Sequence, residues 1–527
     1  VQKLLRRALK MSEAENQAKQ EIIKKLTAYE IKGHIFYDEE KKEELNKKDY
    51  ASLKEEWEKT QKTNWFSRTK QEVIMNLAIN KRGEATEQIV QYLKKFYTFK
   101  TTRSDDASEI WIYEKGIYKP EGKTYIQETC RTMLELTYTT HLAKNVINKI
   151  EADTYIDQDD FFEQQNKHPY IIPVKNGLLN LKTKKLSPFN KNIAFFNKLS
   201  MNYKPKAKCE TIKQFIKEIT KNEEDVQVIQ ELFGYCLIKD YKYEKAFMFY
   251  GSHGRNGKSK LLELLKRLVG VENTASISLE DLEKDSFSMS ELHNKMINIS
   301  ADISKNAVNN TGNFKNLTGR DQILAARKFK TRIKFVNYAK MVFAANTLPP
   351  INDSNSDAFW LRWVLIEFPH QFLPEKELVE NKEAKLQDPQ IINKLLDENE
   401  MEGLLTWSIE GLDRLEEQKD FSNKATAKQV KYDWMKRSNS VAAFIYEHVV
   451  ECYDKKILKD SFKKVYINYC KKNRLKVLSD KVIKITLEGE LNAGSTRESI
   501  FLDNQYKQLR YWDGVEFKNN NLCSFSK

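Results

Sequence analysis

The chain has 527 residues, 40% of them hydrophobic and 31% charged, which allows roughly three to five domains with real cores under a heavily solvated surface (mean hydropathy −0.67). Lysine and arginine number 89 against 75 acidic residues, a formal charge of +14. That favours a polyanionic partner, nucleic acid before membrane surface, although a lysine-rich proteome yields basic chains without one.

No run of 18 apolar residues occurs, so no membrane helix is expected, and the start, VQKLLRRALK, has no apolar signal core. The chain opens on Val1 rather than Met, which leaves room for residues upstream. The six cysteines, Cys130, Cys209, Cys236, Cys452, Cys470 and Cys523, form no CxxC or Cys/His pattern. A zinc site is therefore not expected and a reduced cytoplasmic compartment is.

In chain order, residues 1–100 read as charged helices between polar loops, 4–28 and 50–63 among them, with no catalytic constellation. Residues 109–119 alternate around Glu114-Lys115-Gly116, the pattern of a hairpin, and 170–186 form a second hairpin with Asn176-Gly177 at its turn. Between them Asp157-x-Asp159 has the spacing of metal-holding carboxylates, though such a pair is more often a solvated acidic loop. Residues 208–240 return to helix. One stripe is Ile212, Phe215, Ile216 and Ile219, and another is Val226, Ile229, Leu232 and Phe233.

The stretch 245–269, KAFMFYGSHGRNGKSKLLELLKRLV, reads as strand, glycine loop and helix. Glycines let backbone N–H groups converge on phosphate oxygens, and the helix N-terminus adds its positive dipole. Lys258 would then reach the β- and γ-phosphates, and the Ser259 hydroxyl would hold Mg2+. Gly251, Ser252, Gly254, Asn256 and Gly257 complete the loop. In the usual G-x-x-x-x-G-K-[ST] pattern the first slot falls on Ser252, and the glycine stands one position early at Gly251.

Four further segments could complete a motor. Residues 296–302, MINISAD, read as a short strand ending in Asp302, an acid placed to handle Mg2+ and water; only Ala301 precedes it where many motors have a second acid. Residues 317–335 crowd Arg327, Lys328, Lys330, Arg332 and Lys334 around Phe329 and Phe335, which suits a loop tracking a nucleic-acid backbone as well as a solvated hairpin. Residues 340–346, KMVFAAN, give a strand ending in Asn346, either a sensor of the γ-phosphate or an ordinary strand cap. Arg362 precedes a fourth strand, 364–368, where it could face a neighbour's nucleotide.

Taken together, GSHGRNGKS, NISADIS, LTGRDQILAARKFK, FAANTLPP and AFWLRWVLIEFP resemble the motifs of superfamily 3 helicases, in particular the poxvirus, phage and plasmid primase-helicase type. IWIYEKGIYKPEG, YIIPVKNGLLNLKT and GLLTWSIEGLDRL extend the likeness up- and downstream, from about residue 101 onward. The resemblance implies an α/β AAA+ P-loop motor forming a ring, usually a hexamer, around DNA and running 3′→5′. Lys258 and Ser259 match the Walker A pair, Asp302 the Walker B acid, Asn346 the sensor and Arg362 a finger acting in trans. Arg327, Lys328 and Lys330 fall on the DNA-contacting hairpin.

Residues 440–452, 459–473 and 479–490 read as helices and 497–517 as strands, which suggests a winged helix. Lys481 and Lys484 lie on its recognition helix and Arg497, Lys507 and Arg510 on the wing; a structural cap on the ring is the alternative.

The expected layout is a helical segment (1–100), an α+β region (101–208), the motor (209–375), a helical lid (376–439) and the winged-helix-like end (440–527). The expected activity is ATP- and Mg2+-dependent DNA unwinding in replication of a phage, plasmid or mobile element in a bacterial cytoplasm. Expected partners are single- and double-stranded DNA, further copies of the chain, and a primase, polymerase or single-strand-binding protein, with no membrane. A bifunctional primase-helicase and an origin-binding initiator with little unwinding are the rival readings.

Overall fold

The structure, a computed structural model, describes residues 47–103, 108–251, 254–284, 286–301, 303, 308–327, 330–351, 357–379, 383–473, 475–502 and 505–518. The chain divides into two units, Val1–Glu114 with Tyr118–Phe161, and Lys115–Ile117 with Phe162–Lys527.

Over residues 47–161, helices α1 (Lys47–Ala78), α2 (Arg82–Phe96), α3 (Gly122–Leu134) and α4 (Thr140–Thr154) accompany strands β1 (Phe99–Thr102), β2 (Glu109–Glu114), β3 (Ile117–Lys119) and β4 (Tyr155–Ile156). The sheet order is β3-β2-β1-β4. Helical spacing selects the core: Ile89 and Leu93, Ile126 and Met133, and Val146 and Ile150 are all buried. The Thr139 hydroxyl accepts the Leu142 N–H at 3.2 Å and caps α4. The expected helix at 50–63 is part of the longer α1, while the one at 4–28 lies outside the described residues. The 109–119 hairpin appears as β2 and β3, with Lys115 and Gly116 at φ 42° and 104°, as a tight primed turn requires.

Asp157 and Asp159 are both exposed, as the solvated alternative has it. Asp157 Oδ1 accepts the N–H groups of Asp159 at 3.0 Å and Asp160 at 3.1 Å, so the carboxylate caps a short helix. Among the described residues no group of three or more His, Cys, Asp or Glu could hold a metal ion.

The second unit opens with an antiparallel sheet of β5 (Ile171–Val174), β6 (Gly177–Asn180) and β7 (Lys185–Ser187). Val174 pairs with Gly177, so the turn is Lys175-Asn176, one residue earlier than the Asn-Gly pair suggested. Gly177 instead starts the next strand, where a Cβ would come within 2.7 Å of the Ser187 carbonyl. Helices α5 (Glu210–Ile219) and α6 (Glu223–Tyr235) bury both predicted stripes.

Next comes a five-stranded parallel sheet of β8 (Ala246–Tyr250), β9 (Thr274–Ala275), β10 (Ile297–Ser300), β13 (Lys340–Ala345) and β14 (Trp363–Glu367), in the order β14-β8-β13-β10-β9. AFMFY and KMVFAA are buried nearly throughout, as expected of strands covered on both faces. Helix α7 (Lys258–Val269) follows β8. Strands β11 (Gln322–Arg327) and β12 (Lys330–Val336) form a separate antiparallel hairpin.

Helix α8 (Glu398–Gln418) lies along α6. Cβ atoms added to Gly234 or Gly411 would collide with the facing backbone at 2.3 and 2.4 Å, so the two helices touch there. Arg414 clasps the pair: Nε donates to the fully buried Glu231 at 2.7 Å, NH1 to Gln230 at 2.8 Å and NH2 to the Gln227 carbonyl at 2.9 Å. A single apolar core runs from Ile172 through the sheet to Trp434.

Helices α9 (Ala427–Ser438), α10 (Ser440–His448), α11 (Lys459–Lys472) and α12 (Asp480–Leu491) lead into β16 (Gly494–Leu502) and β17 (Gln505–Phe517). The helix expected over 440–452 stops at His448, and β15 (Val449–Leu458) takes over. Val441, Phe444 and Ile445 already complete the helix's buried face, and Val449 pairs with Phe517. Pairing with β17 therefore overrides local helical preference, giving a three-stranded sheet in the order β15-β17-β16. Among the described residues no helix is long and apolar enough to cross a membrane.

Candidate active site

The register of the parallel sheet assembles the site. Tyr250 at the end of β8 pairs with Ala345 of β13 and Glu367 of β14. The next residues, Gly251 and Asn346, therefore leave the sheet side by side at its carboxyl edge, where α/β sheets bind ligands.

Gly251 is buried, and a Cβ there would lie 2.5 Å from Asn256 Nδ2 and 2.6 Å from the Phe368 carbonyl. This is why the loop's first glycine stands at 251. Gly257 has φ +87°, and a Cβ there would come within 2.5 Å of the Ile219 side chain, so it closes the loop in a conformation that side chains resist. Helix α7 begins at once with Lys258, and Ser259 lies exposed in its first turn. Asn256 is buried and Gly254 exposed.

Lys258 Nζ donates to Asn346 Oδ1 at 3.1 Å and lies 3.5 Å from the Gly251 carbonyl. Burial lowers its pKa to about 8. A desolvated ammonium facing two neutral oxygens inside a glycine-made cradle is suited to receive an anion.

Ser252 and Asp302 lie outside the described residues, although β10, which precedes Asp302, stands beside β13 in the sheet. Arg362 stands apart, at the start of β14 next to the Ala246 end of β8. Its NH1 donates to the Ala358 carbonyl at 2.6 Å and its NH2 lies 3.5 Å from Glu244 of the same chain, with 16% of the side chain exposed. Its Nε is buried with no hydrogen-bond partner among the described residues.

On the hairpin, Arg327 pairs in register with Lys330, and its charge joins burial in lowering the His293 pKa to about 3. Lys328 lies outside the described residues, while Arg332 and Lys334 are exposed around the buried Ile333. Lys481 and Lys484 are exposed on α12, and Arg497 is exposed on β16.

One cation near the loop was not singled out from sequence. Arg437 of α9 pairs with Glu367 at the carboxyl edge, and its guanidinium lies 5.2 Å from the Tyr250 ring. Its distance in sequence, far beyond the strand it meets, left no local signal. Arg255 pairs with Glu377 at 2.6 Å, and its carbonyl accepts the Phe372 N–H at 2.8 Å, which ties the glycine loop to the segment after β14.

Residues 10–221 match the family model described as "D5 N terminal like", and residues 249–362, which include the glycine loop, match a family of unknown function, DUF5906. A putative helicase, L207/L206, of Acanthamoeba polyphaga mimivirus is 29% identical over 246 residues, 44% of this chain and 25% of that protein; the match thus spans a quarter of its relative's length. The chain is therefore similar to a viral protein described as a putative helicase. Two apo structures of the NrS-1 C-terminal region align over 81% of this chain and 98% of theirs, at TM-scores of 0.41 and 0.42 and 12% identity, a likeness too low to carry the fold across.

Proposed function

We propose that this chain is an ATP-dependent DNA helicase motor of the superfamily 3, AAA+ type, serving replication of a virus, phage, plasmid or mobile element. The observation that carries the reading is the juxtaposition of Lys258 with Asn346 at 3.1 Å on the carboxyl edge of a five-stranded parallel sheet. The glycine cradle fits a triphosphate, with Lys258 neutralising its terminal phosphates and Asn346 placed to orient water or sense the γ-phosphate. Ser259 and Asp302 would hold Mg2+, which spreads the charge that develops on the phosphoryl oxygens.

Arg362 is assigned to a neighbour's nucleotide in a ring, which its side chain reaches only on leaving Glu244. Arg327, Lys328 and Lys330 are assigned to the strand being moved. The helices and three-stranded sheet at the C-terminal end are read as a winged helix that holds duplex through Lys481, Lys484 and Arg497.

The test is unwinding of forked DNA carrying either a 3′ or a 5′ tail. ATP-dependent unwinding of the 3′-tailed fork, lost in Lys258→Ala, is expected. Primer synthesis by the chain, or ATP-dependent DNA binding with no strand separation, would replace this reading with a rival one.

A further inference from the structure

The hairpin of β16 and β17 carries two faces of different chemistry. Ser495 pairs with Trp512, Arg497 with Arg510, Ser499 with Gln508, and Phe501 with Tyr506. Directly opposed residues of an antiparallel pair share a face, so these alternate pairs line one side. From the arginines to the aromatics every side chain on this face is exposed. The other face balances its own charge, with Lys456 paired to Glu498 and Thr496 donating to Asp513 at 2.8 Å.

The first face does not. Two arginines directly opposite each other repel. Lys459 lies over the Trp512 ring at 3.7 Å and donates to Ser495 at 2.6 Å. Its pKa is lowered by partial burial and by the charges of Lys484, Arg510 and Arg497, with Glu488 opposing. The cations thus form a mutually repelling cluster. Four residues along the strand, about 13 Å at ~3.3 Å per residue, Phe501 and Tyr506 meet edge to face at 5.1 Å and remain 59% and 78% exposed.

Two exposed aromatics beyond a crowded cationic cluster form a surface with a matching ligand. Phosphates relieve the repulsion and unstacked bases cover the rings. We propose that this face of the hairpin binds DNA with unpaired bases, the Arg497–Arg510–Lys459 cluster taking phosphates and Phe501 and Tyr506 stacking on bases. The assignment goes beyond a duplex-holding wing and takes only its substrate class, DNA, from the motor reading.

The full chain, without nucleotide, is titrated by fluorescence anisotropy against labelled oligothymidylate and against a blunt duplex. Phe501→Ala with Tyr506→Ala should weaken oligothymidylate binding on the order of tenfold and duplex binding less than about twofold, with the salt slope unchanged. Phe501→Trp with Tyr506→Trp should restore single-strand binding, which a merely structural role would not produce. Arg497→Ala with Arg510→Ala should weaken both ligands and lower the salt slope by about one per lost contact. Unchanged single-strand binding in the double-alanine protein, or an equal loss on duplex, overturns the proposal. Because no ATP is present, that result is independent of whether Lys258→Ala abolishes unwinding.

Discussion

Replacing Lys258 with Met should move stability and activity in opposite directions. The folded pKa is lowered from 10.5 to about 8 by burial. A shift of that size corresponds to about 3 kcal/mol stored against the charged lysine at neutral pH. Residual solvent screening reduces this to roughly 1–2 kcal/mol. The hydrogen bonds lost on substitution, at 3.1 and 3.5 Å, offset about 0.5–1 kcal/mol, and Asn346, being exposed, can turn to water.

The variant without nucleotide should therefore be about as stable as the parent or up to ~1 kcal/mol more stable, while phosphate release is abolished. The lysine's folded pKa lies below its unfolded one, so the unfolded chain holds more protons between them, and parent stability rises with pH from about 8 toward 10. The difference between parent and variant should shrink over that window. Denaturant titrations at several pH values, with and without ATP, check this. ATP at a hundred times its Kd should stabilise the parent by about 2.7 kcal/mol and leave the variant unmoved. A variant destabilised by more than ~2 kcal/mol would make Lys258 a structural residue, and retained hydrolysis would remove the phosphate-loop assignment.

Arg362→Ala should fold and bind ATP but hydrolyse it poorly, since a finger supplied by a neighbour contributes about 10³–10⁵ in rate in GTPases. Mixing it with Lys258→Ala subunits should recover part of the activity, and no recovery after confirmed subunit exchange would leave Arg362 as the intrachain partner of Glu244. Lys328→Ala with Lys330→Ala should leave basal ATPase near the parent value and cut unwinding; a collapse of ATPase with DNA binding intact would make them structural. Arg414→Ala should cost about 3 kcal/mol in chemical denaturation, because it leaves the fully buried Glu231 carboxylate without its counter-charge, held only by the Ser422 N–H and hydroxyl, and a change below ~1 kcal/mol would show that the clasp contributes little.

The strands of the parallel sheet were legible because both its faces are covered, which leaves AFMFY and KMVFAA as short unbroken apolar runs. The loop was legible from glycines whose positions the packing explains: 251 against the Phe368 carbonyl and 257 against Ile219. What escaped depends on pairing across long sequence separations. β15 exists because β17 is there to receive it. Arg437 reaches the site because α9 packs back to the edge of β14. Asp157-x-Asp159 has the spacing both of a metal pair and of a solvated acidic segment; Asp157 Oδ1 accepts the next turn's N–H groups, and local spacing does not separate those uses. The one-residue error at Asn176-Gly177 arose because a glycine needed for close approach to Ser187 imitates one needed for a turn.

The clasp between α6 and α8 has a mechanical consequence. With Gly234 and Gly411 bringing backbone against backbone and Arg414 bound to three acceptors of α6, the downstream helix cannot swing like a door over the glycine loop. Interiors packed at this density transmit strain instead of absorbing it. A push that starts beside Lys258 would be carried through the shared core as the tilt of a stiff block. The hairpin of β11 and β12, which pairs with no other strand among the described residues, would be carried along by such a tilt.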